Sequence, residues 1–154
     1  MQFTVRPAQP EQADQILALL PRLADFQIPS RRQPKELWTG DSQLVHKWAE
    51  GNLPNSVFEV AVNSSEKIVG VAFATLRPEA LSQTPSAHLE VLTVAKEAEG
   101  CGAARALVSA IEERVKELGA KSLTLNVFTN NERARGFYRH IGFDEELLRC
   151  IKDL

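Results

Sequence analysis

A glycine-containing loop between an apolar strand and an amphipathic helix is the feature that most restricts how this chain can fold. The strand is predicted over residues 88–94, and glycines follow at positions 100 and 102. Apolar residues then recur at three- and four-residue spacing as far as Leu118, and Gly119 is a typical helix stop. Glycine allows positive φ and a close approach to backbone N–H groups, and a helix start attracts anions. The segment predicts a phosphate-binding loop, although a plain strand-to-helix turn explains the same residues.

Two well-known kinds of phosphate-binding loop do not fit this segment. No Gly-Lys-Ser/Thr sequence follows, so the segment is not a P-loop. The third glycine of a dinucleotide-binding fingerprint is also absent, and the preceding strands lack the alternating helices of a Rossmann unit. The loop therefore needs a different structural context.

Hydrophobic periodicity predicts a single mixed α/β domain covering residues 1–154. Antiparallel strands come first and a strand–helix–strand–helix segment follows, which indicates one twisted sheet. Pro21 should kink or shorten the first helix, and Gly70 inside a strand indicates a bulge or a close backbone approach. The predicted strands cover 3–6, 57–62, 68–75, 88–94, 122–128 and 143–151, and the predicted helices cover 13–24, 42–49, 103–118 and 131–140.

Composition excludes several classes of protein. The 18 Lys and Arg against 20 Asp and Glu give a net charge of −2, so bulk positive charge does not hold the chain to nucleic acid or to a membrane. No basic, apolar leader and no run of about 18 apolar residues is present, and we expect a cytoplasmic protein. Two cysteines are too few for a disulfide framework or a metal cluster, so no metal is expected. Cys101 is expected to fill the loop and Cys150 to lie in the core.

Two segments together resemble the GNAT superfamily of acyl-CoA-dependent N-acetyltransferases. The family's phosphate loop reads Gln/Arg-x-x-Gly-x-Gly/Ala, which falls here on Glu99, Gly102 and Ala104. The likeness covers residues 86–145, and residues 5–11 and 68–70 also look like the first half of the family. The later family motif, Asn-x-x-Ala followed by Tyr and then Gly-Phe, falls on Asn131, Ala134, Tyr138, Gly142 and Phe143.

The resemblance implies a fold and a co-substrate. It implies a mixed, mostly antiparallel sheet with helices on both faces, in which the fourth strand splays away from the fifth and acetyl-CoA binds along the open edge. Leu92 and Val94 would contact the pantetheine arm through their backbone, and Asn131 would bond its amides, cap the last helix, or do both. The pyrophosphate would lie on the loop and the helix start, formed by Glu99, Gly100, Cys101, Gly102, Ala103, Ala104 and Arg105.

Glu99 departs from the family pattern. The family usually has Arg or Gln at this position, and a solvated carboxylate beside a pyrophosphate is repelled by about 1 kcal/mol. Lys96 and Arg105 would supply positive charge nearby. On this basis, an arginine at position 99 should tighten acetyl-CoA binding.

Tyr138 and Glu90 are the predicted catalytic residues. Tyr138 is the only tyrosine in the chain; it matches the family's general acid, and a plain packing role is the alternative. Glu90 is the expected general base with His88 in reserve, and an ordinary charge on a half-exposed strand is the alternative. Strand alternation predicts one face formed by His88, Glu90 and Leu92 and the other by Ala87, Leu89 and Val91.

The function implied by the resemblance is acetyl transfer from acetyl-CoA to a primary amine of a small molecule or peptide, by direct attack in a ternary complex. Two alternatives are a catalytically silent CoA-binding sensor domain, which Glu99 favours, and a scaffold whose loop binds nothing. The acceptor should bind near residues 1–50 and 77–85, where Arg31 and Arg32 suit an acidic acceptor or are simply solvated. A homodimer is an expectation by analogy only.

Overall fold

A five-stranded sheet in the order β1-β2-β3-β4-β5 forms the centre of the computed structural model, which describes residues 1–154. The first four strands are antiparallel neighbours and the fifth runs parallel to the fourth, so the predicted mixed, mostly antiparallel sheet is confirmed. The strands are β1 (Phe3–Pro7), β2 (Ser56–Asn63), β3 (Ile68–Pro78), β4 (Pro85–Val94) and β5 (Leu123–Leu125). The helices are α1 (Ala13–Leu19), α2 (Thr39–Ala49), α3 (Ala103–Glu117) and α4 (Glu132–His140).

Helices cover both faces of the sheet, and each face has its own apolar core. On the face covered by α1 and α2, Trp48, Phe58 and Phe73 stack with successive ring centroids 4.2 and 4.3 Å apart. On the other face the apolar side of α3 packs against the sheet. None of the helices is both long and apolar enough to cross a lipid bilayer. The buried α3 residues are Ala103, Leu107, Val108, Ile111 and Val115.

Pro21 and Gly70 act locally as their residue types predict. α1 ends at Leu19, and the chain continues through Pro21 as a short 3₁₀ turn. A Cβ at Gly70 would lie 3.0 Å from Leu107 Cδ1 and 3.2 Å from Val94 Cγ1, and the pairing of β2 with β3 shifts register nearby. Gly70 therefore allows α3 to pack closely on the sheet.

β4 contains a bulge at Glu90. Leu89 and Val91 pair with consecutive residues of β3, which leaves Glu90 as the extra residue. Leu89 packs in the core under α3, whereas Val91 packs in the core under α1 and α2. The predicted alternation is therefore wrong beyond Glu90, since one extra residue exchanges the faces of everything that follows. Leu92 packs on the α3 side, away from the face of His88 and Glu90.

β4 and β5 separate after a short stretch of pairing. Their register joins Ala87 to Leu123 and ends with Leu89 opposite Leu125. Residues 90–94 of β4 consequently have no strand on that side, which confirms the predicted splay. β5 is also shorter than the predicted 122–128.

The strand predicted at 143–151 is wrong, because residues 143–154 form neither strand nor helix. This segment begins with three carboxylates at 144–146, and acidic residues are unfavourable in strands. Glu145 is held on α4 instead, with hydrogen bonds of 2.8–2.9 Å from Arg135 and Arg139. Cys150 is exposed, so its predicted place in the core is also wrong.

Candidate active site

The loop before α3 presents a row of free backbone N–H groups. The first helical hydrogen bond runs from the Ala106 N–H to the Gly102 carbonyl, and the N–H groups of residues 100–105 donate to no protein acceptor. Gly100 and Gly102 have φ of +74° and +88°, and a Cβ at either would meet no atom within 4 Å. Because the positive end of a 15-residue helix lies here, the loop fits an anionic group such as a pyrophosphate.

The Glu99 carboxylate at the start of this loop is shared between two arginines. Arg22 donates from Nη2 to one carboxylate oxygen, and Arg133 Nη2 lies 3.5 Å from the other. The hydrogen bond from Arg22 is the main reason that the pKa of Glu99 lies below its ordinary value. Sequence reasoning missed both arginines because each comes from a different part of the chain than Glu99. The Arg22 contact, for example, spans 77 positions. Lys96 and Arg105, which sequence reasoning named, are exposed.

Leu92, Val94 and Cys101 lie together on the α3 side of the sheet, where their side chains pack against the same core. The Val94 carbonyl accepts a hydrogen bond of 3.0 Å from Arg22 Nε. Cys101 Sγ donates to the Ala98 carbonyl at 2.8 Å. The thiol is thus bound to the loop's own backbone, as expected of a residue that fills the loop.

α4 brings Asn131 and Tyr138 to the same side of the sheet. The Asn131 side chain caps the helix by accepting the Ala134 N–H at 3.3 Å. The Tyr138 ring packs edge-on between Phe137 and Phe143, with centroids 5.4 and 5.7 Å away. Burial raises the pKa of Tyr138 to about 12, so the phenol keeps its proton at neutral pH and is able to donate a hydrogen bond.

Glu90 lies on the opposite face, toward α2. Its carboxylate accepts a hydrogen bond of 2.7 Å from the Thr75 hydroxyl and is 3.7 Å from the Arg77 guanidinium. Asp41, in the first turn of α2, lies close enough to feel this charge: burial, and secondly the charge of Glu90, raise the pKa of Asp41 to about 7. This face therefore places two carboxylates near the splay of β4 and β5.

His88 lies beside Glu90 on that face and is buried. Its Nδ1 is 2.7 Å from the Thr124 hydroxyl of β5. Burial, and secondly the charge of Arg77, lower the pKa of His88 against the opposing effect of Glu90. A neutral His88 therefore ties β4 to β5 just before the two strands separate.

The arginines expected near the acceptor already have carboxylate partners. Arg31 is 2.9 Å from Asp153, and Arg32 is 3.7 Å from Glu36. They are therefore less available to an acidic acceptor than the sequence alone indicated. No group of three or more His, Cys, Asp or Glu side chains is arranged to hold a metal ion.

The sequence profile of the Acetyltransferase (GNAT) family matches residues 20–143 of the chain. The chain belongs to the GNAT family. As a GNAT protein it is an acyl-CoA-dependent N-acetyltransferase. The resemblance carried by residues 86–145 is confirmed, and so is the enzyme class.

Known proteins resemble this GNAT chain over most of its length. It is 30% identical over 145 residues to the peptidyl-lysine N-acetyltransferase YjaB of Escherichia coli (strain K12), covering 93% of this chain and 83% of that protein. The aminoglycoside antibiotic 6'-N-acetyltransferase AAC(6')-Ih from Acinetobacter baumannii superimposes with a TM-score of 0.74 at 18% identity over 99% of each chain. AAC(6')-Iy, solved with the bisubstrate analog CoA-S-monomethyl-acetylneamine, gives 0.75 at 16% identity over 100% and 99%. The two solved structures share the fold.

Proposed function

We propose that this protein transfers the acetyl group of acetyl-CoA to a primary amine of a small molecule or a peptide, by direct attack in a ternary complex. The observation that carries the proposal is the position of Glu90, on a bulge beside the point where β4 leaves β5. YjaB is named for peptidyl-lysine and AAC(6')-Ih for an aminoglycoside. The functional group that these two kinds of acceptor share is an amine.

The donor side consists of residues on the α3 face. The free N–H groups of residues 100–105 would hold the pyrophosphate. The backbone at Leu92 and Val94, which has no partner strand, would contact the pantetheine arm, although the Val94 carbonyl already accepts a hydrogen bond from Arg22. Asn131 uses its side-chain oxygen to cap α4, and its amide nitrogen is free for a pantetheine carbonyl. Acetyl-CoA supplies an activated acyl group whose leaving thiolate, with a conjugate-acid pKa of about 8.5, is a weak base and a good leaving group.

The acceptor side consists of residues on the α2 face. Glu90 would take the proton from the ammonium, directly or through a water, with His88 as the second candidate. Thr75 and Arg77 hold the Glu90 carboxylate in place for this step through a hydrogen bond and an ion pair. The backbone N–H at Leu92 would bind the developing oxyanion.

Tyr138 would hydrogen-bond the departing sulfur. With a pKa of about 12, full proton transfer from the phenol to a thiol-type anion of pKa about 8.5 is uphill by about 5 kcal/mol. A hydrogen bond that strengthens as negative charge develops on sulfur does not need that transfer. Tyr138 is therefore assigned as a hydrogen-bond donor that keeps its own proton, and the thiolate takes up a proton from solvent after the C–S bond breaks.

A CoA-release assay with acetyl-CoA and a panel of amines, amino acids and lysine-containing peptides tests this function. We expect acceptor-dependent CoA release. Tyr138→Phe should lower kcat about a hundredfold while the KM for acetyl-CoA stays unchanged, and Glu90→Gln should lower the rate most below the pKa of the acceptor ammonium. Turnover equal to the wild type in Tyr138→Phe would remove the assigned role, and a pH-independent loss in Glu90→Gln would contradict a general base.

Glu99 was the feature that favoured a catalytically silent CoA-binding domain. Because Arg22 and Arg133 neutralise this carboxylate, no specific observation now supports that alternative. A homodimer stays a prediction, and light scattering of the purified protein tests it.

A further inference from the structure

We propose that Arg133 binds a phosphate group of the acyl-CoA and that Glu99 is the residue that positions it. This inference rests on the proposed function and names the cation that replaces the arginine or glutamine usual at the first position of the loop. In this chain Glu99 occupies that position, and its carboxylate would hold the guanidinium of Arg133 beside the loop.

Arg22 is the fixed member of the cluster. Its side chain is 22% exposed, and it donates to the Val94 carbonyl at 3.0 Å, to Asp25 and to Glu99. These bonds leave Arg22 few donors for a ligand. Its structural effect is to fix one oxygen of the Glu99 carboxylate at the end of β4.

Arg133 is the exposed member of the cluster. Its side chain is 78% exposed, and its guanidinium lies 3.5 Å from the second oxygen of Glu99. Since a guanidinium has five N–H donors, most remain free. Two arginines and the carboxylates of Asp25 and Glu99 balance in charge, so the cluster removes the repulsion that Glu99 alone would exert on an anion.

Helix stability does not account for an arginine at position 133. Arg133 is the second residue of α4, where the positive end of the helix dipole disfavours a cation. Glu132 and the Asn131 cap already suit that end of the helix. Arg133 lies beside Glu99, and Glu99 immediately precedes the free N–H groups of residues 100–105. Arg133 is therefore at the edge of the anion-binding loop, which explains why an arginine is found at this position.

Calorimetric titration of the full chain with CoA tests the role of Arg133. We expect Arg133→Ala to weaken CoA binding about tenfold, the usual scale for one charge-assisted hydrogen bond. The ligand-free melting temperature should stay the same or rise slightly. Lys116→Ala, which removes one exposed charge from the other end of α3, is the matched control and should bind CoA like the wild type.

The Glu99→Arg variant distinguishes two hypotheses: that Glu99 positions Arg133, and that only the sign of the charge at position 99 affects CoA binding. If only the sign of the charge at position 99 mattered, an arginine there would tighten CoA binding. We expect weaker binding, because a third guanidinium repels Arg22 and Arg133 from their present places. Glu99→Gln should bind less tightly than the wild type and make the effect of Arg133→Ala smaller in a double-mutant cycle. Tighter binding in Glu99→Arg, or fully additive effects in the cycle, would overturn the positioning role.

Kinetics with three different acetyl donors identify the phosphate group that Arg133 contacts. If it meets the pyrophosphate, Arg133→Ala should raise the KM equally for acetyl-CoA and for acetyl-3′-dephospho-CoA, whereas an effect confined to acetyl-CoA assigns the 3′-phosphate. S-acetylpantetheine, which has neither group, should not distinguish the variant from the wild type. An equal loss with S-acetylpantetheine, or CoA binding equal to the wild type, would overturn the role of Arg133 alone. A wild-type protein that binds no CoA would overturn this inference and the proposed function together.

Discussion

Asp41 shows how the surroundings of a single residue set its proton affinity, and Glu90 is the charged neighbour that contributes to it. Both carboxylates lie toward the same face of the sheet, but only Glu90 has a hydroxyl donor at 2.7 Å and a guanidinium at 3.7 Å. Burial and the charge of Glu90 raise the pKa of Asp41 to about 7. A cationic amine bound beside Asp41 would favour its ionised form, so acceptor binding should release a fraction of a proton near neutral pH.

Asp41→Asn should stabilise the protein at alkaline pH. Because the folded pKa of about 7 lies above the unfolded value, the stability linked to Asp41 is fully present below the unfolded pKa and is lost as pH rises through about 7. The variant should match the wild type near pH 4 and exceed it by about 1–2 kcal/mol at pH 8, after discounting for partial solvent screening. Urea unfolding at several pH values measures this, with the exposed Glu117→Gln as control. A difference that does not change with pH would contradict the assignment.

At the scale of elements, the placement of α3 on the sheet decides where the anion-binding loop lies. Leu107 packs where Gly70 has no side chain, and Arg114 Nη1 donates to Glu59 of β2 at 2.8 Å. The Glu59 side chain is only 3% exposed. The buried Glu59 carboxylate has a single cationic partner, Arg114 of α3. This pair favours one packing position of α3 on the sheet, because any other position would leave the Glu59 charge unpaired.

Arg114→Ala should destabilise the fold by about 3 kcal/mol, because it leaves the Glu59 carboxylate buried without its partner. The double variant Glu59→Gln with Arg114→Ala should recover part of that loss, because no unpaired charge remains. Urea unfolding gives both values, and Lys116→Ala on the same helix is the control. A loss in Arg114→Ala no larger than that of the control would mean that the ion pair does not hold α3.

The sequence predicted elements well where the signal is local and poorly where it depends on a partner strand. Pro21, Gly70 and the α3 periodicity act within a few residues, and each had the expected effect. The bulge at Glu90 could not be predicted, because it exists only in the pairing of β4 with β3. The same holds for the segment 143–154, whose alternation suggested a strand but whose acidic start binds α4 instead.

At the scale of the whole molecule, the candidate site draws on segments far apart in the chain. The loop and the motif that starts at Asn131 were predictable, because the conformations of glycines and helix caps depend mainly on neighbouring residues in the sequence. The arginines around Glu99 were not, since they come from the turn after α1 and from the start of α4. A ligand that contacts the loop, β4 and α4 at once should therefore stabilise the whole fold.

Acetyl-CoA should raise the melting temperature of the protein. At one hundred times its Kd, a ligand that binds only the folded state adds about 2.7 kcal/mol, which corresponds to about 5–10 °C for a chain of this size. Differential scanning fluorimetry measures the shift. S-acetylpantetheine, which lacks the phosphates, should shift it less at equal concentration, and no shift at millimolar acetyl-CoA would contradict the donor site.

The bulge at Glu90 also determines which changes β4 can accumulate over evolutionary time. Loss of this one residue would restore regular alternation and leave Leu92 and Val94 on the α3 side, because Leu89 and Val91 already pair with consecutive residues of β3. That deletion would remove one carboxylate from the α2 face without exchanging the faces of the rest of the strand. The length of β4 can therefore change by one residue at this position without dismantling the donor side of the site.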